Sequence, residues 1–324
     1  MLAVDGGNSK TDVVLLDAAG GVVGASRAGG SSHEALGLEG SVAALEGAVL
    51  AAGAAAGLDP GRAPIARLGM YCLAGADLPV DDRRIGRALA ARGWTQRVVV
   101  RNDTFAILRA GTDRGWGVAV ACGAGLNCAG AAPDGRIVRF PALGELSGDR
   151  AHGGGWLGRA ALGSALRARD GRGPRTALER LVPAHFGLRG PSAVLTAVHV
   201  GRLHEDRLLE LAPIVFGAAE NGDAVSRSLI DELADEVVAM AGSAIRRLRL
   251  SARDVDVVLG GGLFRNGDPY LLERIGKGIA SVAPAAVVST LHEAPVVGAA
   301  LLGLDGIGAT GPAKARARAV LSAG

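Results

Sequence analysis

The 324-residue sequence predicts an α/β fold in which two similar domains, each built on one copy of a duplicated βββαβα unit, face each other across a cleft. Two observations predict this fold. A three-strand pattern with a glycine-rich turn begins near the N-terminus and recurs about 115 residues later, and alternating helical and extended segments follow each copy. A pattern repeated in this way indicates two layered α/β domains of similar construction.

The first copy begins with three short apolar segments. Residues 2–4, 13–16 and 22–26 are predicted strands, and turns at residues 5–11 and 18–21 separate them. The spacing indicates an antiparallel meander. The segments that follow are predicted as helices at residues 39–56 and 85–92, strands at 65–73 and 98–101, and a helix that begins at residue 105.

The second copy repeats this plan. Strands are predicted at residues 117–121, 128–132 and 137–140, with turns at 122–127 and 133–136. The segments that follow are predicted as helices at residues 207–219, 224–248 and 269–280, a strand at 255–259, and a helix of small residues at 295–304 suited to close packing at a domain interface.

These segments divide the chain into three predicted parts. The first domain covers residues 1–112, the second covers residues 113–305, and a tail at 306–324 packs back on the first domain. Each domain is large enough to have its own core.

Composition excludes several classes of protein. Hydrophobic residues make up 49% of the chain and charged residues 21%, which is typical of a globular protein. The net charge of +3 comes from scattered arginines without interleaved aromatics, so we expect no nucleic-acid partner. No uninterrupted apolar run approaches the roughly 20 residues that span a bilayer, so we expect no membrane partner. Only three cysteines occur, and polar Asp5 and Lys10 interrupt the N-terminal segment, which predicts a cytoplasmic protein.

The two glycine turns predict a phosphate site. A hairpin turn rich in glycine exposes backbone N–H groups, and the absence of Cβ atoms allows an anion to approach them. Two such turns on facing domains can hold the phosphates of a nucleotide from both sides. Asp5, at the end of the first strand, is a predicted Mg²⁺ residue that acts through water, although an Asx turn is the alternative. Lys10 is either a phosphate ligand or a solvated turn residue.

Asp103 is the predicted catalytic base. It follows the apolar segment at residues 98–101 and directly precedes a helix, so it is either a helix N-cap or a functional carboxylate at the carboxyl end of a strand. A carboxylate there can accept the proton of a hydroxyl that attacks the γ-phosphate of ATP. Gly260, Gly261 and Gly262 directly follow another apolar strand, and a bare backbone of this kind can lie against a flat adenine ring.

With these motifs in order, the sequence resembles the N-acetylglucosamine kinase and BadF/BadG-type ATPase family, within the actin-like (ribonuclease H-like) sugar kinase superfamily. The resemblance extends from Leu2 to about Leu304. It implies ATP and Mg²⁺ as cofactors, a small-molecule sugar as substrate, and a homodimer. The implied activity is transfer of the γ-phosphate of ATP to the 6-hydroxyl of N-acetylglucosamine or glucosamine.

The resemblance also implies a role for each motif. The implied ATP- and phosphate-binding residues are Gly6, Gly7, Asn8, Ser9, Lys10, Thr11, Gly123, Ala124, Gly260, Gly261 and Gly262. The implied sugar-binding residues are Ser32, Asn102, Asp103, Gly125, Asn127 and Asp149, with Asp103 as the base and Asp5 at the Mg²⁺.

Two other functions stay open. BadF relatives include ATP-driven activators of CoA-ester reductases or dehydratases, which hold an iron–sulfur cluster with cysteines, and Cys122 and Cys128 flank the second glycine turn. A sugar or nucleotide sensor without turnover is the other alternative, because Ala124 stands where many relatives carry a threonine. Residues 150–156 also differ from the acidic loop of the animal enzymes.

Overall fold

The computed structural model describes residues 1–62, 64–265 and 267–323, and within them two five-stranded sheets share one strand order. In the first sheet the order is β3-β2-β1-β4-β5, and in the second it is β8-β7-β6-β9-β10. The first three strands of each sheet are antiparallel neighbours, and the last two are parallel to the central strand. The predicted duplication of an α/β unit is therefore confirmed.

Six of the strands are longer than the sequence pattern indicated, whereas β4 and β8 are each one residue shorter and β9 has the predicted length. The first sheet contains β1 (Leu2–Gly6), β2 (Lys10–Leu16), β3 (Val22–Gly29), β4 (Ala66–Leu73) and β5 (Thr95–Asn102). The second contains β6 (Gly117–Cys122), β7 (Leu126–Ala131), β8 (Ile137–Arg139), β9 (Asp256–Gly260) and β10 (Val287–Thr290). Strand β10 was not predicted, because it is short and its residues alternate between exposed and half-buried positions. Pairing between β1 and β2 reaches the Gly6–Thr11 pair, so the predicted turn at 5–11 shortens to residues 7–9.

Helices cover the sheets and fill the space between them. They are α1 (His33–Ala55), α2 (Pro79–Ala90), α3 (Thr104–Gly111), α4 (Gly154–Asp170), α5 (Leu178–His185), α6 (Pro191–His199), α7 (Ala212–Glu220), α8 (Ala224–Arg247), α9 (Gly262–Arg265), α10 (Pro269–Val282), α11 (Pro295–Gly306) and α12 (Gly311–Ser322). The predicted helix at 207–219 is in fact a 3-10 segment (Glu205–Leu211) followed by α7. Helices α4, α5 and α6 were not predicted.

Helix α1 is long and apolar enough to cross a membrane by length and composition. Three of its residues, Val42, Leu45 and Val49, are buried in the first core together with residues of the first sheet. The helix is irregular at Gly37, whose φ of 69° is a left-handed conformation that glycine adopts without strain.

Two helices join the sheets. On one side, Ala106 of α3 packs with α11 and the first sheet, and a Cβ at Gly298 of α11 would overlap the Ala106 carbonyl oxygen. On the other side, Ile107 and Leu108 of α3 pack against Val258 of β9. The small residues of α11 thus allow close approach of two helices between the sheets. Helices α11 and α12 both pack on the first sheet, and the boundaries at residues 112 and 305 stay a prediction.

Candidate active site

A cleft of about 280 Å³ lies between the two sheets, where the carboxyl ends of their central strands meet. The turn between β1 and β2 lines one side of the cleft, and the turn between β6 and β7 lines the other. The residues after β4, β5 and β9 complete the lining. Open α/β sheets collect ligand-binding groups at this edge, because strand ends place side chains and free backbone groups there.

Most of the predicted site residues line this cleft. They are Asp5, Gly7, Asn8, Ser9, Lys10, Asn102, Asp103, Gly123, Ala124, Gly125, Asn127 and Gly261. The predicted residues outside the lining are Gly6, Thr11, Ser32, Asp149, Gly260 and Gly262.

Three of the predicted residues outside the lining are buried elsewhere in the structure. The hydroxyl of Thr11 is buried and donates to Ser31 Oγ at 2.8 Å. Asp149 is buried, and its Oδ2 accepts a hydrogen bond from Ser147 Oγ at 2.6 Å. The buried Ser32 Oγ has no hydrogen-bond partner among the described residues.

The first glycine turn holds two free donors toward the cleft. Gly7 N donates to the Lys10 carbonyl at 2.8 Å, while the backbone N–H groups of Asn8 and Ser9 donate to no described residue. Gly30 lies directly behind this turn, and a Cβ there would overlap the Asn8 carbonyl oxygen. The turn therefore has two backbone N–H groups without a partner among the described residues, and Gly30 packs directly against it. These are the features of an anion-binding turn.

The second glycine turn has the same construction. Gly123 N donates to the Gly125 carbonyl at 2.9 Å, and the backbone N–H groups of Ala124 and Gly125 donate to no described residue. At the start of α4, Gly154 N and Gly155 N donate to the carbonyls of Gly123 and Ala124, each at 2.9 Å. The segment at 150–156, which differs from the acidic loop of animal relatives, therefore supplies glycines that support the second turn.

Lys10 is paired within its own domain. Its Nζ lies 2.8 Å from Asp12 Oδ2, and Arg27 Nε lies 2.5 Å from the other oxygen of that carboxylate. Asp5, on the neighbouring strand, is only 7% exposed. Burial raises the pKa of Asp5 to about 7, and the charge of Asp103 adds to this shift.

Asp103 occupies the N-cap position of α3 without capping it. Its side chain makes no capping hydrogen bond, while its backbone carbonyl accepts from Ala106 N and Ile107 N at 2.9 and 3.1 Å. Burial raises the pKa of Asp103 to about 6, and the charge of Glu34 contributes in the same direction. Of the two alternatives that the sequence left open, the geometry favours a carboxylate available to the cleft.

Comparison with known proteins identifies the family of this chain. Residues 2–303 match the BadF/BadG/BcrA/BcrD ATPase family, which is nearly the whole chain. The chain belongs to that family. The resemblance drawn from the motifs is therefore confirmed.

Two relatives of this ATPase family member have curated names. An N-acetyl-D-glucosamine kinase of Dictyostelium discoideum is 26% identical over 321 residues, which cover 94% of this chain and 97% of the relative. An N-acetylmuramic acid/N-acetylglucosamine kinase of Clostridium acetobutylicum is 27% identical over 205 residues, which cover 63% of this chain and 66% of the relative. Both names agree with the predicted enzyme class.

Solved structures agree on the fold of this family member. A Chromobacterium violaceum protein, provisionally described as an N-acetylglucosamine kinase, superposes with a TM-score of 0.72 at 26% identity over 93% of this chain and 97% of that one. A ROK family glucokinase from Streptomyces griseus, solved with glucose and AMPPNP, has a TM-score of 0.57 at 18% identity, with 94% and 99% of the two chains covered.

The sequence analysis missed Asp77, a buried residue that lines the cleft. Its Oδ1 accepts hydrogen bonds from Asn102 Nδ2 at 2.6 Å and from Asn127 Nδ2 at 2.8 Å. Burial raises the pKa of Asp77 to about 8, with contributions from the charges of Glu34 and Asp103. Asp77 follows β4 as Asp103 follows β5, so the strand-end rule that selected Asp103 also points to Asp77.

Arg265 and Glu34 are further cleft residues that the sequence did not indicate. Arg265 ends the short helix α9, and its charge opposes the rise in the pKa of Asp5. It brings a cation into the cleft from the second domain, opposite the paired Lys10 of the first.

A second cavity, of about 590 Å³, opens beside α9. Its lining includes Phe216 of α7, Arg227 of α8 and Tyr270 of α10, together with Leu263 directly after the three glycines. The Arg227 guanidinium lies 4.0 Å from the centre of the Tyr270 ring, whose hydroxyl donates to Asp231 at 2.5 Å. This cavity is lined by Leu263, and Gly261, two residues before it, lines the first cleft.

Proposed function

We propose that this protein is an ATP-dependent amino-sugar kinase that transfers the γ-phosphate of ATP to the 6-hydroxyl of N-acetylglucosamine, with glucosamine as the second choice of acceptor. The observation that carries the proposal is the position of Asp103. Its carboxylate lines the cleft between two glycine turns and does not cap the helix that it precedes. The names of the relatives support a sugar as the acceptor.

Phosphate binding rests on the two turns. The free backbone N–H groups of Asn8, Ser9 and Ala124 supply donors from both domains, and anions bind well to donors of this kind. Ala124 has no side-chain hydroxyl, so the second turn acts through its backbone alone. Arg265 supplies positive charge from the second domain, while the charge of Lys10 is partly offset by Asp12.

The nucleoside end of ATP is assigned to the cavity beside α9. Gly261 has a φ of 105° and lies against the Cys122 carbonyl oxygen, so the strand end and the glycines form a surface without side chains. Apolar and aromatic groups such as Leu263 and Tyr270 line the adjoining cavity, which suits a flat base.

The residues present fit Mg²⁺ bound mainly through the phosphates. A hard cation of this kind takes oxygen ligands and keeps several waters, so one carboxylate and the phosphates suffice. The described residues contain no cluster of three or more metal-binding side chains. Asp5 would hold the ion through water, and the ion would neutralise charge on the transferred phosphate.

In the proposed reaction Asp103 accepts the proton of the sugar 6-hydroxyl. The hydroxyl oxygen forms a bond to the γ-phosphorus, the bond from that phosphorus to the bridging oxygen breaks, and ADP leaves with the electron pair. Asn102, Asn127 and Gly125 are the proposed sugar-side residues. Closure of the two domains excludes water, so transfer to the sugar is favoured over hydrolysis.

The iron–sulfur activator receives less support. Cys72, Cys122 and Cys128 are all buried, and burial raises the pKa of the Cys122 thiol to about 12. Cluster ligands are thiolates that reach the cluster, whereas these thiols fill the cores of their sheets. Iron analysis of anaerobically purified protein is expected to find none.

The direct test measures ADP release from Mg²⁺·ATP with N-acetylglucosamine, glucosamine, N-acetylmannosamine, glucose or no sugar. We expect stimulation by an amino sugar, N-acetylglucosamine most strongly, and a 6-phosphate ester as the product in phosphorus NMR. Slow ATP hydrolysis that no sugar stimulates would reject the kinase. Stabilisation against heat by a sugar without ADP release would favour the sensor.

Light scattering tests the proposed homodimer, and fractionation of cells tests the cytoplasmic location.

A further inference from the structure

One interdomain contact in the cleft has no role in the reaction proposed above. Asp77 belongs to the segment between β4 and α2, in the first domain, whereas Asn127 lies on β7 in the second. The carboxylate of Asp77 joins Asn127 to Asn102, the last residue of β5, because one oxygen accepts from both amide groups. One carboxylate oxygen of Asp77 therefore contacts side chains of both domains.

A second contact holds the same segment from the opposite domain. Arg139 Nη2, on β8, donates to the backbone carbonyls of Ala76 and Asp77 at 2.9 and 2.8 Å. Arg139 Nη1 forms an ion pair with Asp82 Oδ2 at 2.5 Å. The backbone beside Asp77 is therefore held by the second domain, and its position depends on how the two domains meet.

The hydrogen bonds of Asn102 and Asn127 leave their side-chain amides little freedom to rotate. Asn102 Oδ1 accepts from Thr104 N at 3.0 Å and from Thr104 Oγ1 at 2.5 Å, and Asn127 Oδ1 accepts from Cys128 N at 2.6 Å. Each amide donates one N–H to Asp77, and its second N–H has no partner among the described residues. Without Asp77, each amide would lose the bond that fixes its orientation.

We infer that Asp77 is a positioning residue for the sugar: it orients the amides of Asn102 and Asn127 and couples their geometry to domain closure. This inference rests on the proposed kinase function. The ligand class is a polyhydroxylated sugar, whose hydroxyl oxygens would accept the two remaining amide N–H groups. Formation of the Asp77–Asn127 bond completes the sugar site only when the domains are in contact, so sugar binding and closure favour each other.

The test compares Asp77→Ala with the isosteric Asp77→Asn in the full-length enzyme. An asparagine keeps a carbonyl oxygen that can accept both bonds, whereas alanine removes the acceptor. Loss of a buried hydrogen-bond acceptor leaves two donors unpaired, so we expect Asp77→Ala to raise the sugar KM by about tenfold or more. We expect the ATP KM of Asp77→Ala to change by less than about threefold, and Asp77→Asn to keep its sugar KM within about threefold of the wild type.

The outcomes separate the inference from the proposed function. If wild-type enzyme shows no sugar-dependent ADP release, the kinase proposal itself fails, and the inference fails with it. If the wild type is an active kinase and Asp77→Ala keeps a normal sugar KM, only the inference is overturned. Equal rises in the sugar and ATP KM values, with a lowered melting temperature, would indicate a merely structural role and would also overturn it. Should Asp77→Ala not fold, Asp77→Ser is judged by the same criteria, because its short side chain cannot reach both amides.

Discussion

Asp5 and Asp103 line the same cleft, and burial together with the charge of Asp103 raises the pKa of Asp5 to about 7. Asp5 is the residue before the last in β1, Asp103 directly follows β5, and β4 lies between these two strands in the first sheet. Two carboxylates in a buried space repel each other when both are ionised, and a cation bound beside them would reduce this repulsion.

The first prediction concerns the base. Asp103→Asn keeps the shape of the side chain but cannot accept the proton, so we expect kcat to fall by about 10²- to 10⁴-fold while ATP affinity stays within a few-fold of the wild type. ADP release and equilibrium nucleotide binding measure the two effects. Asp59→Asn, at an exposed position, is the control and is expected to be fully active. An Asp103→Asn enzyme with near-normal kcat would reject Asp103 as the base.

The second prediction concerns pH. Because the pKa of Asp103 is raised to about 6, the proton acceptor is lost as the pH falls through that value. We expect kcat/KM for the sugar to decline below about pH 6, well above the ordinary aspartate pKa of about 3.9. Initial rates between pH 5 and pH 9 at constant ionic strength measure this. A profile that stays flat to pH 5 would contradict the raised pKa.

The third prediction concerns stability. The pKa of Asp5 is raised on folding, so its stabilising contribution is complete below the unfolded pKa and is lost as the pH rises through about 7. Asp5→Asn does not ionise. We therefore expect the apo variant to melt at least about 2–4 °C above the wild type at pH 8, with the advantage shrinking toward pH 4.

Melting curves without Mg²⁺ or nucleotide, taken across this pH range, measure that difference. Asp59→Asn again serves as the control and should show no pH-dependent gain. A wild type that is as stable as Asp5→Asn at pH 8 would show that the Asp5 carboxylate is not destabilising in the apo protein.

The fourth prediction concerns the support of the first glycine turn. A Cβ at Gly30 overlaps the Asn8 carbonyl oxygen, whereas a Cβ at the adjacent Gly29 meets nothing within 4 Å. We expect Gly30→Ala to displace the turn and raise the ATP KM by about tenfold, because the free N–H groups of Asn8 and Ser9 move with it. Gly29→Ala is the matched control and should keep the wild-type ATP KM. Equal ATP KM values for the two variants would show that the turn does not bind phosphate.

Local sequence patterns were sufficient for the duplicated fold and for much of the cleft. Strand alternation and glycine turns are set by neighbours along the chain, so both copies of the βββ unit were predictable, as was the position of Asp103 at a strand end. Helices α4, α5 and α6 and strand β10 were not predicted, since β10 is short and the second copy has five helices between its third and fourth strands where the first copy, in the part of the chain that the structure describes, has only α1. Thr11 and Asp149 match family motifs, yet they lie outside the cleft lining.

The sequence by itself determined the duplicated α/β architecture, the two glycine turns and a carboxylate at the end of β5, because these depend on short-range periodicity and backbone freedom. Only the tertiary structure decided that the Asp103 side chain does not cap α3, that Lys10 is paired with Asp12, and that Asp77 connects Asn102 to Asn127 across the cleft. Those facts depend on which groups from distant segments meet, and on the loss of solvent where they meet. Hydrogen-bond partners and raised pKa values arise from that burial, which no local pattern in the chain records.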